Sequence, residues 1–476
     1  MNTLDKTVSD LTGPRGLPLV GNLLQLDLDQ LHRVLGRWCD EFGTMFTFRL
    51  GTRPVVAIAE PELIQEILRQ RPKRYRRLDK VEAVFRELGV HGVFSAEGED
   101  WERQRKLTAR ALDTAHLRAF FPVLRTVTER LRHLWERAAA SGADVEVQHD
   151  LMRYTVDVTT NLAFGYDMNT LEREGEVIQQ HLERIFPMLH RRINAPIPYW
   201  HFLRLPADRA LEASLRAIHE IIAKFVDETR ARLAKQPELV ERPTNFLEAM
   251  LAARDDDGAA FTDTEIFANV ITMLLAGEDT TAISLAWMID YLTDLPEVQT
   301  RLQAEADAHI DASGLTDTAQ GLDALDYGEA VAHEAMRLKP VAPLFFMQPN
   351  EDVELKGVSV PRGTAIMLLT MHPALQDAHF GGAAQFRPER WLASAQHAGC
   401  PHNAKAFVPF GAGPRFGPGL SLAMLEIKAV TAMMARCFTL TKAPGRGPVR
   451  EKFAFTMMPE NLFVNFRRRG LAKELF

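Results

Sequence analysis

Between Phe410 and Gly419 the chain carries four glycines and two prolines in ten residues, Phe-Gly-Ala-Gly-Pro-Arg-Phe-Gly-Pro-Gly. Residues free at φ mixed with residues locked at φ force a tight loop. The stretch from Leu420 to Ala435 that follows has helical spacing. The loop therefore opens onto a helix N-terminus, whose free N–H groups favour negative charge. A single arginine, Arg415, stands in its middle. Such a loop reads either as an anion-binding cradle or as a plain turn.

Three further segments place charged or small residues where chemistry needs them. Ala276-Gly277-Glu278-Asp279-Thr280-Thr281 lies in an apolar helical run. Gly277 leaves out a side chain and lets something flat approach the backbone. Asp279 and Thr280 put an acid and an alcohol in an apolar stretch, where both are costly to bury without partners. They read as a proton relay beside a reactive centre or as capping residues of a helix end. Glu334 and Arg337 share a helix face, and Arg390 downstream is a third charged partner; the pair alone also suits an exposed surface. Trp101 and Arg105 lie one helical turn apart and either hold an acidic ligand together or form a basic helix face.

Apolar residues at three- and four-residue spacing from Leu117 to Ala140 and from Ala210 to Ala234 predict a helical middle. Strands are expected at Val55 to Ile58 and in a hairpin of Asp352 to Leu355 with Val358 to Val360. Others are expected in the run Thr364 to Thr370 and in a last pair, Phe453 to Phe455 with Leu462 to Phe466. Lys235 to Asn245 and Asp311 to Gly321 read as loops. The expectation is a mainly α fold with small β-sheets, one large domain over residues 1–476. Within it, 1–22 is a turn-rich lead-in and 407–436 is the loop with its helix. Hydrophobic residues make up 46%, enough for a large core, and the net charge of −7 argues against general nucleic-acid binding. The N-terminus MNTLDKTVSD has no secretory pattern, and Phe267 to Ala276 falls short of the roughly 20 apolar residues of a membrane span. A soluble, cytoplasmic protein is expected. Cys39, Cys400 and Cys437 are too few and too scattered for a disulfide framework or a metal-ligand pair.

In this order and at these separations, the four segments resemble the cytochrome P-450 family. Its loop pattern, Phe-Gly-x-Gly-x-Arg-x-Cys-x-Gly, is met at Phe410, Gly411, Gly413, Arg415 and Gly419. The resemblance covers essentially the whole chain, from Gly13 to Leu462. It implies a cytochrome P-450 fold, haem b as cofactor and monooxygenation of an apolar organic substrate. It implies that Trp101, Arg105 and Arg415 contact the haem propionates, and that Phe410, Gly411 and Gly417 line the loop side of the haem. Asp279 and Thr280 would then deliver protons on the distal side, where Ala276 and Gly277 leave room. Glu334, Arg337 and Arg390 would lock the core beneath the haem. The substrate pocket would lie between the Asp279 helix, Val90 to Ser95, and the apolar Val341 to Phe346. Electrons would come from a separate ferredoxin or flavodoxin, or from peroxide. Arg103, Lys106, Arg110 and Lys428 offer a basic docking face or a solvated one.

The chain departs from the family where the family's chemistry is centred. The cysteine position of the loop is Gly417. The cysteine thiolate ligates the iron and favours O–O cleavage. The loop holds no cysteine, histidine, methionine or tyrosine to replace it, and use of Cys400 or His402 would need a rebuilt loop. Three readings stand. Haem is bound through its propionates and apolar burial, with water or another small ligand at Gly417; or the protein is a non-catalytic partner or scaffold; or glycine is an engineered or inactivating substitution in a monooxygenase. A smaller departure is Ala374-Leu375-Gln376-Asp377, where the family often has His-Arg-Asp. It alters local polar contacts.

Overall fold

The structure, a computed structural model, describes residues 6–109, 114–173, 178–195, 197–255, 258–392 and 403–470. Arg110, Cys400 and His402 fall outside the described residues.

The lead-in lies along the first strand of a five-stranded sheet. A Cβ at Gly13 would stand 1.8 Å from the Thr47 carbonyl oxygen, so only glycine fits there. Asn22 is fully buried, and its side-chain oxygen accepts from Arg49 N at 2.8 Å. The sheet uses β1 (Met45–Leu50), β2 (Arg53–Ile58), β3 (Tyr75–Arg77), β4 (Phe345–Pro349) and β5 (Ala365–Leu368), in the order β1-β2-β5-β4-β3. The β2–β5 pairing is parallel, with Val55 opposite Ala365, and the others are antiparallel. Val55 to Ile58 are all buried, the unbroken apolar run of a strand covered on both faces.

Helices make up most of the rest: α1 (Gly98–Ala109), α2 (Thr114–Ser141), α3 (Val147–Phe164), α4 (Asp263–Asp294), α5 (Asp326–Leu338) and α6 (Leu420–Cys437). The spacing from Ala210 to Ala234 belongs to a further helix, Pro206–Lys235. The central element is α4. It starts at a capping box, in which Thr262 N donates to the Glu265 carboxylate at 2.7 Å and Glu265 N donates to the Thr262 hydroxyl at 3.3 Å. It runs far past the apolar stretch read from Phe267 to Ala276. One 18-residue window has mean hydropathy 1.2, but 72% of that window is buried inside the protein. A helix that is apolar all round is a core helix when other elements cover it. Residues Ile266 to Leu275 belong to one large apolar cluster and Ala282 to Leu292 to another, so α4 joins both into one domain.

The C-terminal strands differ from the sequence expectation. Phe453 and Phe466 belong to strands that do not pair with each other. Strand β6 (Phe438–Lys442) pairs with β9 (Phe463–Arg468), and β7 (Arg450–Ala454) pairs with β8 (Thr456–Glu460). The alternating pattern marked strands but carried no information about the tight turn at Phe455, where φ is +80°. Lys235 to Asn245 also holds a short helical turn, Glu238–Glu241.

Candidate functional site

The loop before α6 is closed by its own backbone. Gly411 N donates to Val408 O at 3.0 Å, Phe416 N to Gly413 O at 3.0 Å and Gly417 N to Phe410 O at 2.9 Å. Gly411 and Gly413 are in the left-handed region, at φ +75° and +68°. A Cβ at Gly413 would also come within 2.6 Å of Arg69 Cα. Gly417 is of another kind. Its backbone lies outside the left-handed region, and the nearest atoms to a Cβ there all belong to Phe410, at 3.5 to 3.6 Å. Those are ordinary contacts, so the fold gives no backbone reason for glycine at this position and would accept cysteine.

Arg415 turns away from the loop into a buried charged cluster. It donates to Ala96 O and to Phe94 O (3.3 Å), lies 3.2 Å from a Glu97 carboxylate oxygen, and covers the Trp101 ring at 4.6 Å. Arg71 donates to Glu97 at 3.0 Å, and Arg77 donates to it through the backbone at 3.1 Å. The Arg77 guanidinium binds Phe94 O at 3.0 Å and covers the Phe94 ring at 4.0 Å. The Arg71 and Arg415 guanidiniums and the Arg77 backbone N–H thus share one carboxylate, while the nearby Glu82 is occupied by Arg76 and Arg86. Burial first, and Arg71 second, push both Arg415 and Arg77 down from the usual arginine range. The Nε atoms of Arg71, Arg77 and Arg415 are buried without hydrogen-bond partners. Arg105 joins from α1, donating to Phe416 O at 2.8 Å. An excess of buried cation beside the loop needs an anion to offset it. The two carboxylates of a haem b fit that need.

The sequence singled out Trp101, Arg105 and Arg415 but missed Arg71, Arg77 and Glu97. Arg71 to Arg77 reads as an ordinary solvated charge run, and Glu97 as one more acid near a helix start. The signal available was the density of basic residues, four arginines and a lysine in the seven residues from Arg71 to Arg77, ahead of the Val81 to Val84 stretch.

On α4, the predicted residues divide between two faces. Ala276 is exposed in the middle of an otherwise buried helix, and Thr280, one turn on, is half-buried. The Thr280 hydroxyl donates to Ala276 O at 2.6 Å. This stripe is the accessible side of the helix at this point. Asp279 is 3% exposed and lies beside Thr456 of β8, with its Oδ2 lacking a hydrogen-bond partner. Burial raises its carboxyl to about 6, the Thr456 hydroxyl offsets part of that, and Glu183 adds to it. Glu278 is buried too and is raised well above the usual range by burial and by Asp279. Gly277 serves a different end from the one expected. A Cβ there would meet Thr159 Cγ2 at 2.2 Å, so the missing side chain admits α3 rather than a ligand.

Glu334, Arg337 and Arg390 meet in the core. Glu334 accepts from Arg337 Nε (2.9 Å) and Nη2 (2.8 Å), Arg390 Nε (3.0 Å), Arg387 N (2.8 Å) and Trp391 Nε1 (2.9 Å). Both arginines and the glutamate are buried. Arg337 also donates to Ala374 O at 2.6 Å. The segment that departs from the family pattern therefore contributes a backbone carbonyl, which no side-chain change removes.

The apolar walls lie near α4. Val93 N donates to Asn269 Oδ1 at 2.8 Å, and a Cβ at Gly92 would clash with Thr272 and Ala268, so Val90 to Ser95 rests on this helix. Phe94, Phe85, Phe186 and Phe455 form an aromatic group with centroids 5.3 to 6.2 Å apart. Phe186 and Phe455 were missed by sequence reading because they come from separate segments. Phe455 N donates to His190 Nδ1 at 3.1 Å, and the next residues are tied to the core, with Met457 O accepting from Trp287 Nε1 at 2.9 Å. The basic face is reduced. Arg103 is paired with Asp255 and Glu265, and Lys428 with Glu329 at 2.5 Å. Cys39 is buried with its thiol pushed up to about 12, and Cys437 donates to Ser313 O.

The sequence profile of the cytochrome P-450 family matches residues 11–466. LUTEIN DEFICIENT 5, a chloroplastic protein of Arabidopsis thaliana, is 27% identical over 423 residues, covering 86% of this chain and 69% of its own. Pentalenene oxygenase of Streptomyces avermitilis is 27% identical over 439 residues, covering 91% of this chain and 92% of its own. The crystal structure of a cytochrome P-450, CYP102L1, superposes with a TM-score of 0.84 at 24% identity, over 96% of this chain and 99% of that one. With a profile match across nearly its full length and a fold to go with it, the chain belongs to the cytochrome P-450 family, whose members are haem monooxygenases.

Proposed function

We propose that this protein binds haem b and that its glycine ligand position blocks ordinary hydroxylation. The observation that carries the reading is the pairing of an intact, cation-rich cradle with a bare ligand position. Arg71, Arg77 and Arg415 gather buried positive charge around Glu97, with Glu82 already engaged by Arg76 and Arg86, while Gly417 offers the iron nothing. When bound, haem supplies oxygen-dependent or peroxide-dependent oxidation chemistry, and the thiolate is the part that favours O–O cleavage. Arg415, Trp101 and Arg105 orient the propionates. Phe410 and Gly411 shape the loop side. Ala276 leaves room on the distal side, and Thr280 holds its hydroxyl proton on the Ala276 carbonyl until a better acceptor is present. Asp279, with a carboxyl near 6, can exchange a proton at neutral pH. The position beside Gly417 is left to water or another small ligand. Peroxide-driven or non-oxidative haem chemistry is what remains open, on an apolar organic substrate held by Phe94, Phe186 and Phe455. We read the protein as of the soluble bacterial type, cytoplasmic, with a ferredoxin or flavodoxin as electron donor where one is used.

One observation favours a second reading, that glycine replaced the cysteine of a working monooxygenase. The backbone at Gly417 accommodates an L side chain with contacts no closer than 3.5 Å. Absorption spectra with and without reduction and carbon monoxide test both. Haem bound without a thiolate-type reduced carbonyl band supports the principal reading. A Gly417→Cys variant that gains that band and hydroxylates a substrate untouched by the parent supports the second. A protein that takes up no haem is a partner or scaffold.

A further inference from the structure

The loop at Gly417 keeps its shape without the side chain that the family places there. Three backbone bonds close it at Gly411, Phe416 and Gly417, Arg105 fixes the Phe416 carbonyl, and Arg415 anchors the loop to the Phe94–Ala96 segment. The space that a cysteine side chain would take is bounded by the Phe410 ring, whose Cδ1 lies 3.5 Å from the Cβ position. What glycine lacks relative to cysteine is one carbon and one sulfur. Methanethiol is that fragment as a free molecule.

Resting on the haem reading above, we propose that Gly417 forms a binding site for a small diffusible thiol, which completes the iron's coordination from outside the chain. Two features select a thiol over water. The carbon sits on the Phe410 ring, and sulfur packs favourably beside aromatic rings. The sulfur lies at the start of the 18-residue helix Leu420–Cys437, where a thiolate is favoured and its pKa falls. Water gains neither. The thiol binds as thiolate, releases its proton to solvent and forms one coordinate bond, with no electron transferred.

The test uses size. The full-length protein is loaded with haem b, its haem content is measured as the pyridine complex, and the ferric form is titrated with methanethiol and with hydrogen sulfide while the main haem absorption band is followed. The parent should give a saturable shift with both. In Gly417→Ala the new methyl fills the carbon's place, so methanethiol should bind about tenfold more weakly or worse while hydrogen sulfide still binds. In Gly417→Cys neither should shift the band. Equal methanethiol affinity in the parent and Gly417→Ala overturns the proposal, as does a haem-loaded parent that shows no saturable shift. A parent without haem overturns the underlying reading and this inference with it, and is seen before any thiol is added.

Discussion

Asp279 and Gly277 are neighbours on α4 with opposite constraints. Asp279 is raised to about 6 by burial, above an ordinary aspartate near 3.8. The folded state then holds the proton more tightly than the unfolded state, so its contribution to stability is full below about pH 4 and is lost as pH rises through about 6. Asp279→Asn should remove up to about 3 kcal/mol of that pH dependence. Urea midpoints at pH 4 and pH 7.5 check it, and the neighbouring Glu278 keeps a residual slope. Gly277→Ala should destabilise, because overpacking costs about 1–3 kcal/mol while the helix propensity gain is about 1 kcal/mol. Adding Thr159→Ser removes the clashing Cγ2 and keeps the hydroxyl, so the double variant should be at least as stable as the parent by thermal denaturation.

At the scale of elements, α5 depends on one carboxylate that accepts five hydrogen bonds. Glu334→Ala would leave two buried guanidiniums uncompensated, and a loss of about 3–5 kcal/mol is expected in chemical denaturation. Only part of this was legible. The three-residue spacing of Glu334 and Arg337 showed that they could pair, Arg390 stood out downstream as a third charged partner, and the resemblance supplied their role in the core. Burial, the Trp391 indole and the Ala374 carbonyl depend on chain segments that meet only in the fold. The propionate cradle was legible to the same degree. Periodicity placed Trp101 and Arg105 on one helix, but Arg71, Arg77 and Glu97 converge from a strand approach and a loop, and no local pattern marks that. The Phe453 and Phe466 strands were found and mispaired, since alternation identifies a strand without naming its partner.

Across the whole molecule, the haem-binding scaffold and the ligand position separate. The apolar clusters, the five-stranded sheet and the buried charge network involve no atom beyond the backbone at Gly417. Haem-free parent and Gly417→Cys should therefore unfold within about 0.5 kcal/mol of each other, since a side chain placed in ordinary contact changes little. A larger gap in guanidinium denaturation would mean that the loop is strained. This is why the fold was readable despite the missing cysteine: family pattern and packing reside in residues spread over the whole chain, whereas iron ligation depends on one.

The hairpin of β7 and β8 carries Phe455 into the aromatic wall and Thr456 against the Asp279 carboxyl, with Met457 pinned to Trp287 on α4. Two consecutive residues thus set the shape of the apolar wall and the proton affinity of the buried acid. Neither property can be selected alone. A lineage that reshaped this hairpin to admit a different molecule would shift the pH at which its acid works, and variants bred for a new substrate should be screened across pH rather than at one value.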